Sequence, residues 1–394
     1  MTRPEGGGRV LIAHPNPELY GSDRVMLETV EAMGERGWQV EVTLPGPGPL
    51  VEEIRRRGGR VTFGPTPVLR KSYLSPLGLL RLLALTLRSI PSAIGLIRRT
   101  DPDVVYVSTI TIPLWIVLAR LMRRPVLCHV HESERAAPLV VRQLLAAPLL
   151  MATGLVVNSE YSASVLAESF GRLGRRSQVI YNGVPGPDRV TPARSALDGS
   201  VRLLFVGRLS PRKGPQVAVD LVGRLANRGH PAKLDLLGSV FPGYEWFRDE
   251  LREAAAAGGH PGDIEFSGFD PDVWSHLARA DIVLVPSQGD EPFGNTAVEA
   301  VLAGRPVVVS ANSGLDEAVN GYGSAQRVPA DDPQAWVDAV EATIRHWSTY
   351  RAEAVADATT AATRHAPVRY RQHIADRLAG CARTRVERRK EVIQ

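Results

Sequence analysis

Two hydrophobic rhythms alternate along the chain. Short runs such as Val10-Leu11-Ile12-Ala13, Val104-Val105-Tyr106-Val107 and Ile282-Val283-Leu284-Val285 carry no polar position, as expected of strands buried on both faces of a parallel sheet. Between the runs, apolar positions return every three or four residues, the period of a helix with one face on a core. Strands are predicted at 10–13, 39–44, 103–107, 125–129 and 154–157, then at 202–206, 232–237, 264–266, 282–285 and 307–309. Strand, loop and helix in this order make parallel strands with crossover helices, an α/β chain in two halves. The segment 185–200 is rich in Pro, Gly, Asp and Ser and has no apolar period, so it reads as a linker. The expected organisation is a first domain over 1–184, a linker over 185–200, a second domain over 201–366 and a helical tail in 367–394.

Length supports the division, because 394 residues exceed what one core of ordinary size organises. Only Cys128 and Cys381 are present. They make neither a disulfide framework nor a metal cluster, which favours a reducing compartment. The opening Met1 to Gly8 is polar and the apolar run after it is short, so no signal peptide is expected and the location is read as cytoplasmic. The apolar stretch 74–97 is interrupted by Arg81, Arg88 and Pro91, and no transmembrane segment is predicted from it.

Charge is unevenly spread. Between Arg55 and Arg124 stand thirteen Lys or Arg against two acids, Asp101 and Asp103, although the whole chain nets only +5. The leucine-rich run Leu77 to Arg88 carries arginines seven apart, a composition that suits the surface of an anionic bilayer. Its leucines alternatively pack in the core of the first domain. Nucleic acid is not expected, because the patch lacks interleaved aromatics.

The chemistry concentrates further on. Asp290-Glu291-Pro292-Phe293-Gly294-Asn295-Thr296-Ala297-Val298-Glu299-Ala300 follows a strand and leads into apolar positions at helical spacing. Glu291 thus falls at the carboxyl end of a strand, where open α/β sheets bind ligands. The amides that open the next helix, near Gly294, Asn295 and Thr296, suit a phosphate, and Gly294 lets it approach without a Cβ in the way. Glutamates on either side can accept hydrogen bonds from sugar hydroxyls. The plain alternative is that Glu291 and Glu299 are solvated charges. Upstream, Leu203-Leu204-Phe205-Val206-Gly207-Arg208-Leu209-Ser210-Pro211-Arg212-Lys213-Gly214 runs from a strand into two cationic positions. Arg208 offers a planar fork and Lys213 a point charge, two ways to neutralise a diphosphate.

The pairing of Gly207-Arg208-Leu209 and Arg212-Lys213-Gly214 with Glu291-Pro292-Phe293-Gly294 and Glu299-Ala300 resembles the retaining glycosyltransferases of family 4. The likeness extends over nearly the whole chain, and its specific part runs from Val201 to about Glu317. It implies the GT-B fold, two Rossmann-like doubly wound domains facing across a cleft, with the tail packing back on the first. It also implies that Arg208 and Lys213 bind the donor diphosphate, with the backbone at Phe293, Gly294 and Asn295 helping. Glu291 would contact the transferred sugar and Glu299 the ribose. Ser313-Gly314-Leu315-Asp316-Glu317 looks like the glycine loop of that family, with Ser313 in place of one glycine.

In the first half, Gly21 and Ser22 lie where relatives carry paired glycines facing the donor phosphate and sugar, although Ser22 also suits a plain helix cap. Of Cys128-His129-Val130-His131-Glu132, His131 best matches a histidine near the transferred sugar. His129 shares its strand face, so either is open. Asp101-Pro102-Asp103 and Asp270-Pro271-Asp272 read as a strand start and a helix cap, and no metal or other cofactor is expected. The expected donor is a UDP- or GDP-sugar, and the expected acceptor a glycan, lipid-linked or small molecule. Retention by front-face attack is the expected course. A nucleotide-sugar epimerase of the same fold and a non-catalytic sugar-nucleotide-binding protein are the rival readings.

Overall fold

The computed structural model describes residues 7–391 apart from 71, 72, 74 and 242. The polar start of the chain, Leu74 at the head of the apolar run and the end of the tail lie outside the described residues. The chain divides into two compact units, Met1–Gly183 with Pro367–Gln394, and Val184–Ala366.

Unit 1 is built on a parallel sheet of β1 (Arg9–Ala13), β2 (Gln39–Leu44), β3 (Arg60–Phe63), β4 (Val104–Val107), β5 (Val126–Val130), β6 (Gly154–Val157) and β7 (Ser177–Val179), in the order 3-2-1-4-5-6-7. Side-chain alternation sends β1 to two cores. Val10 and Ile12 pack with Val30, Met33, Ile374 and Leu378, whereas Leu11 and Ala13 pack with Leu96, Trp115 and Ile116 on the other face. The tail is the helix Pro367–Glu391. Its Tyr370 hydroxyl meets Thr29 Oγ1 at 2.7 Å, and Arg371 binds Glu28 at 2.8 Å.

Unit 2 repeats the design with β8 (Val201–Val206), β9 (Ala232–Leu237), β10 (Ile264–Gly268), β11 (Ile282–Val285), β12 (Val307–Ser310) and β13 (Ala325–Val328), in the order 10-9-8-11-12-13. Each unit is therefore a doubly wound, Rossmann-like sheet whose order reverses beside its first strand. The strands that sequence patterning misses, β3, β7 and β13, are sheet edges. Their polar positions leave no apolar run to read.

The structure bears on three further expectations. The segment 185–200 is not a free linker but part of unit 2. Ala193 is buried in its core, and Arg194 forks onto Asp281 at 2.9 and 2.7 Å. The apolar stretch after residue 74 is one continuous helix, Pro76–Thr100, running through Arg81, Arg88 and Pro91. Among the described residues it is long and apolar enough to cross a membrane by length and composition. The leucines of its first half, from Leu77 to Leu87, do not fill the core, since the buried residues are Ser89, Ala93, Leu96 and Ile97. Cys128 and Cys381 are both free and buried.

Candidate active site

In unit 2 the residues that carry charge gather at the carboxyl ends of β8 and β11, the pair beside which the strand order reverses. Beyond β8 the chain makes a single short turn, Pro211–Lys213, and closes it with Gly214 at φ 74°. A Cβ there would sit 1.8 Å from the Pro286 carbonyl oxygen, so only glycine lets the two loops meet. Gln288 N donates to the Arg212 carbonyl at 2.7 Å and fixes that contact.

The result surrounds Glu291. Its carboxylate is buried and one oxygen accepts from Lys213 Nζ at 2.8 Å, Arg212 Nη1 at 2.9 Å and Ser287 Oγ at 3.0 Å. Burial alone would raise this carboxyl. The Lys213 ammonium and then the Arg212 guanidinium outweigh it and hold the group below the ordinary glutamate range, so it is ionised at neutral pH. Arg208 holds its guanidinium 3.3 Å above the centre of the Phe241 ring.

The loop after Glu291 is held from below. Phe293 is buried with its ring 5.7 Å from that of His365, so its side chain is an anchor. Gly294 adopts φ 113° and starts the helix Asn295–Leu302, placing the positive end of the helix dipole at Gly294 and Asn295. Within that helix Ala297, Val298, Ala300, Val301 and Leu302 are buried, and Glu299 is half-buried. The Ser313 to Glu317 segment is not a loop but the start of the helix Ser313–Val319. Ser313 takes the left-handed conformation expected of the glycine it replaces, φ 49°, and its hydroxyl accepts from Glu291 N at 2.8 Å. The departure from glycine thus gives Glu291 a second tether.

Unit 1 places its residues at the equivalent strand ends, β1 and β4. His14 follows β1, Ser108 follows β4, and His14 Nδ1 meets Ser108 Oγ at 2.6 Å. On its other side His14 Nε2 meets Asp23 Oδ1 at 2.8 Å. Asp23 also accepts from Tyr20 N at 2.8 Å. This corrects the expected cap: the helix Gly21–Glu35 is capped through Tyr20 and Asp23, and Gly21 and Ser22 sit exposed in its first turn. Ser22 stands two residues past the N-cap position Tyr20, whereas Asp23 at the third helical position closes a capping box onto the Tyr20 amide.

The histidine ambiguity also acquires structure. His129 belongs to β5, is fully buried and meets Tyr106 Oη through Nδ1 at 2.8 Å. His131 lies just past the strand, its ring centre 3.9 Å from that of His129. Burial, then the nearby His14, lowers His131 to about 3, so it is a neutral imidazole at pH 7. Both Nε2 atoms lack a hydrogen-bond partner among the described residues.

Arg212, Ser287, Ser313, His14, Asp23 and Ser108 are absent from the sequence-based assignment. Arg212 stands beside Lys213 in the motif and Ser313 opens the glycine loop; the others required the fold. Among the described residues no three His, Cys, Asp or Glu gather in a group that could hold a metal. Asp272 caps a helix by accepting from Ser275 N at 3.2 Å, and Asp103 accepts from Arg9 N at 3.0 Å.

Comparison with known proteins matches each unit to its own family model. Residues 20–185 match "Glycosyltransferase Family 4" and residues 191–359 match "Glycosyl transferases group 1". A 2-deoxystreptamine glucosyltransferase of Streptomyces kanamyceticus is 28% identical over 75% of this chain and 81% of its own length. A D-inositol 3-phosphate glycosyltransferase of Mycolicibacterium gilvum is 33% identical over 46% of this chain and 42% of its own, so the chain spans less than half of that relative. Among solved structures, Anabaena HepE in complex with UDP and glucose superposes with a TM-score of 0.79 at 20% identity, over 94% of this chain and 99% of its own. With both units matched and the whole fold shared, the chain is a glycosyltransferase of the family 4 and group 1 type, with the GT-B fold.

Proposed function

We propose that the protein moves a sugar from a UDP- or GDP-sugar to a hydroxyl acceptor with retention of anomeric configuration. The observation that carries the proposal is the buried, ionised Glu291 held by Lys213 and Arg212 beside the start of the Asn295–Leu302 helix. Anionic and cationic groups thereby stand ready for the opposite charges of one transition state. Solved structures of the same fold contain UDP and UDP-glucose, which supports a nucleotide-sugar donor.

In the proposed step the bond from the anomeric carbon to the diphosphate oxygen breaks, and its electron pair leaves with the phosphate. The acceptor oxygen attacks from the same face and its proton passes to the departing phosphate. Lys213, Arg208 and the helix start at Gly294 and Asn295 take the negative charge. Glu291 lends its field to the positive sugar and orients a hydroxyl, and Glu299 takes the ribose. For unit 1 the proposal assigns neutral His131 to a sugar hydroxyl and Gly21 and Ser22 to the donor phosphate and sugar. Two cations and a helix dipole on the leaving group make the transfer metal-independent in this reading. The acceptor is proposed to be a lipid-linked or cell-surface glycan, the class that the basic, leucine-rich surface of unit 1 favours.

A thermal-shift titration tests the donor. UDP or GDP should raise the melting temperature, because a ligand bound only by the folded state stabilises it. Lys213→Ala should weaken that binding by about 10 to 100-fold, the worth of a charge-assisted phosphate contact. No shift with any nucleoside diphosphate would refute the proposal.

A further inference from the structure

The helix Pro76–Thr100 changes character halfway. Its second half is docked: Ala93, Leu96 and Ile97 join the core on one face of the unit 1 sheet. Its first half is not, since none of residues 75–88 is buried. Leu77 is 79% exposed, Leu80 64% and Leu87 58%. At 100° per residue Leu79, Leu80, Leu83 and Leu87 fall within roughly 100° of one another, while Arg81 and Arg88 lie on the opposite flank. The apolar surface continues on the same layer of the unit. Helices Pro113–Leu121 and Leu139–Ala146 contribute Trp115, Ile116 and Ala146 to the same core and expose Leu121, Val140 and Leu144, the last by 71%.

Charge decides what covers this surface. No Asp or Glu occurs between Glu53 and Asp101, and Asp101 is already held by Arg124 at 2.6 Å. Arg81, Arg88, Arg98 and Arg99 therefore flank exposed leucines without acidic relief from their own helix. A second copy of the chain would bring like charges together. An anionic phospholipid surface satisfies both features, taking the leucines into the acyl boundary and the arginines among its headgroups. The free half is too short to span: from Pro76 to Arg88 it extends roughly 20 Å, against roughly 30 Å of hydrocarbon.

We infer that the exposed half of the Pro76–Thr100 helix, with Leu121, Val140 and Leu144, docks unit 1 on the surface of an anionic bilayer, lying along it and not crossing it.

Co-sedimentation of the full chain with vesicles tests the inference. The protein should pellet with phosphatidylcholine mixed with phosphatidylglycerol and remain largely in solution with phosphatidylcholine alone. Added salt should weaken the association. Leu80→Ser/Leu83→Ser/Leu87→Ser should reduce the bound fraction about tenfold or more. Arg81→Glu/Arg88→Glu should remove the preference for the anionic vesicles. All these positions are exposed, so the melting temperature and its shift with UDP should stay as in the unsubstituted protein, which separates a lost docking face from a lost fold. Equal pelleting of the leucine variant would overturn the inference. So would failure of the unsubstituted protein to pellet, or salt-resistant binding that only detergent releases, the mark of a spanning helix.

Discussion

The two units place polar side chains at the same point of the same topology, yet they prepare opposite electrostatics there. At the ends of β8 and β11 an ionised carboxylate is held between two cations. At the ends of β1 and β4 the groups are His14, Ser108 and Asp23 in a hydrogen-bonded chain, with His131 kept neutral nearby. Topology selects where a site forms, but side-chain burial selects its charge. Unit 2 is suited to a diphosphate that leaves with negative charge, and unit 1 to neutral hydroxyls, for which a neutral imidazole can either donate or accept.

The largest test of this contrast is Glu291→Ala. If Glu291 acts on the sugar, transfer should fall by about 10³-fold, as when a charge aimed at a transition state is removed. Affinity for UDP should hold or rise, because Lys213 and Arg212 lose their internal counter-ion. Turnover assays and isothermal titration read the two effects separately. A parallel loss of both would show Glu291 to be merely the organiser of the cationic loop.

Acid stability sharpens the comparison at the next scale. His131 and His129 have folded pKa values below the ordinary histidine value, each mainly through burial. Between about pH 6.5 and 3 the unfolded chain therefore binds protons that folded His131 refuses, and its contribution, full above pH 6.5, is lost as pH falls. Glu291 is also depressed, so its contribution is present above about pH 4.5 and lost below it. Glu132, raised by its burial, opposes the histidines above pH 4.5. Comparing His131→Gln with the unsubstituted protein isolates one group: the variant's stability should fall less steeply from pH 6.5 to 5, by up to about 1.4 kcal/mol per pH unit. Chemical denaturation at several pH values measures it, and identical slopes would mean that His131 titrates normally.

The same contrast explains what was legible in the sequence. Interior strands such as β4 and β11 appear as unbroken apolar runs, and Glu291 with Lys213 stands in motifs whose residue types already imply a phosphate. Edge strands such as Arg60–Phe63 do not, because half their surface is wet. The His14, Asp23 and Ser108 chain joins residues 94 apart in the sequence, and no local spacing encodes such a meeting. Gly21 and Ser22 open the helix as the sequence indicates, but Asp23 closes its capping box, and only the fold shows Asp23 reaching both Tyr20 N and His14. Residues 185–200 lack periodicity and still pack, since Ala193 and Arg194 bind to unit 2 singly and leave no pattern.

The smallest expected effect asks how finely the cationic side is arranged. The guanidinium of Arg208 lies over the Phe241 ring. A ring face attracts a cation without neutralising it, so this placement helps to orient Arg208. Phe241→Leu keeps an apolar side chain of similar reach and removes the ring. If the stacking pre-positions Arg208, affinity for UDP should fall about 2 to 5-fold, the equivalent of the 0.5–1 kcal/mol such a contact contributes at an exposed site. Phe241→Trp should restore it, because the indole is the better ring for this contact. Unchanged affinity in both variants would leave Lys213 and Arg212 as the cations that matter, and the charge contrast between the units would then rest on Glu291 and its two partners alone.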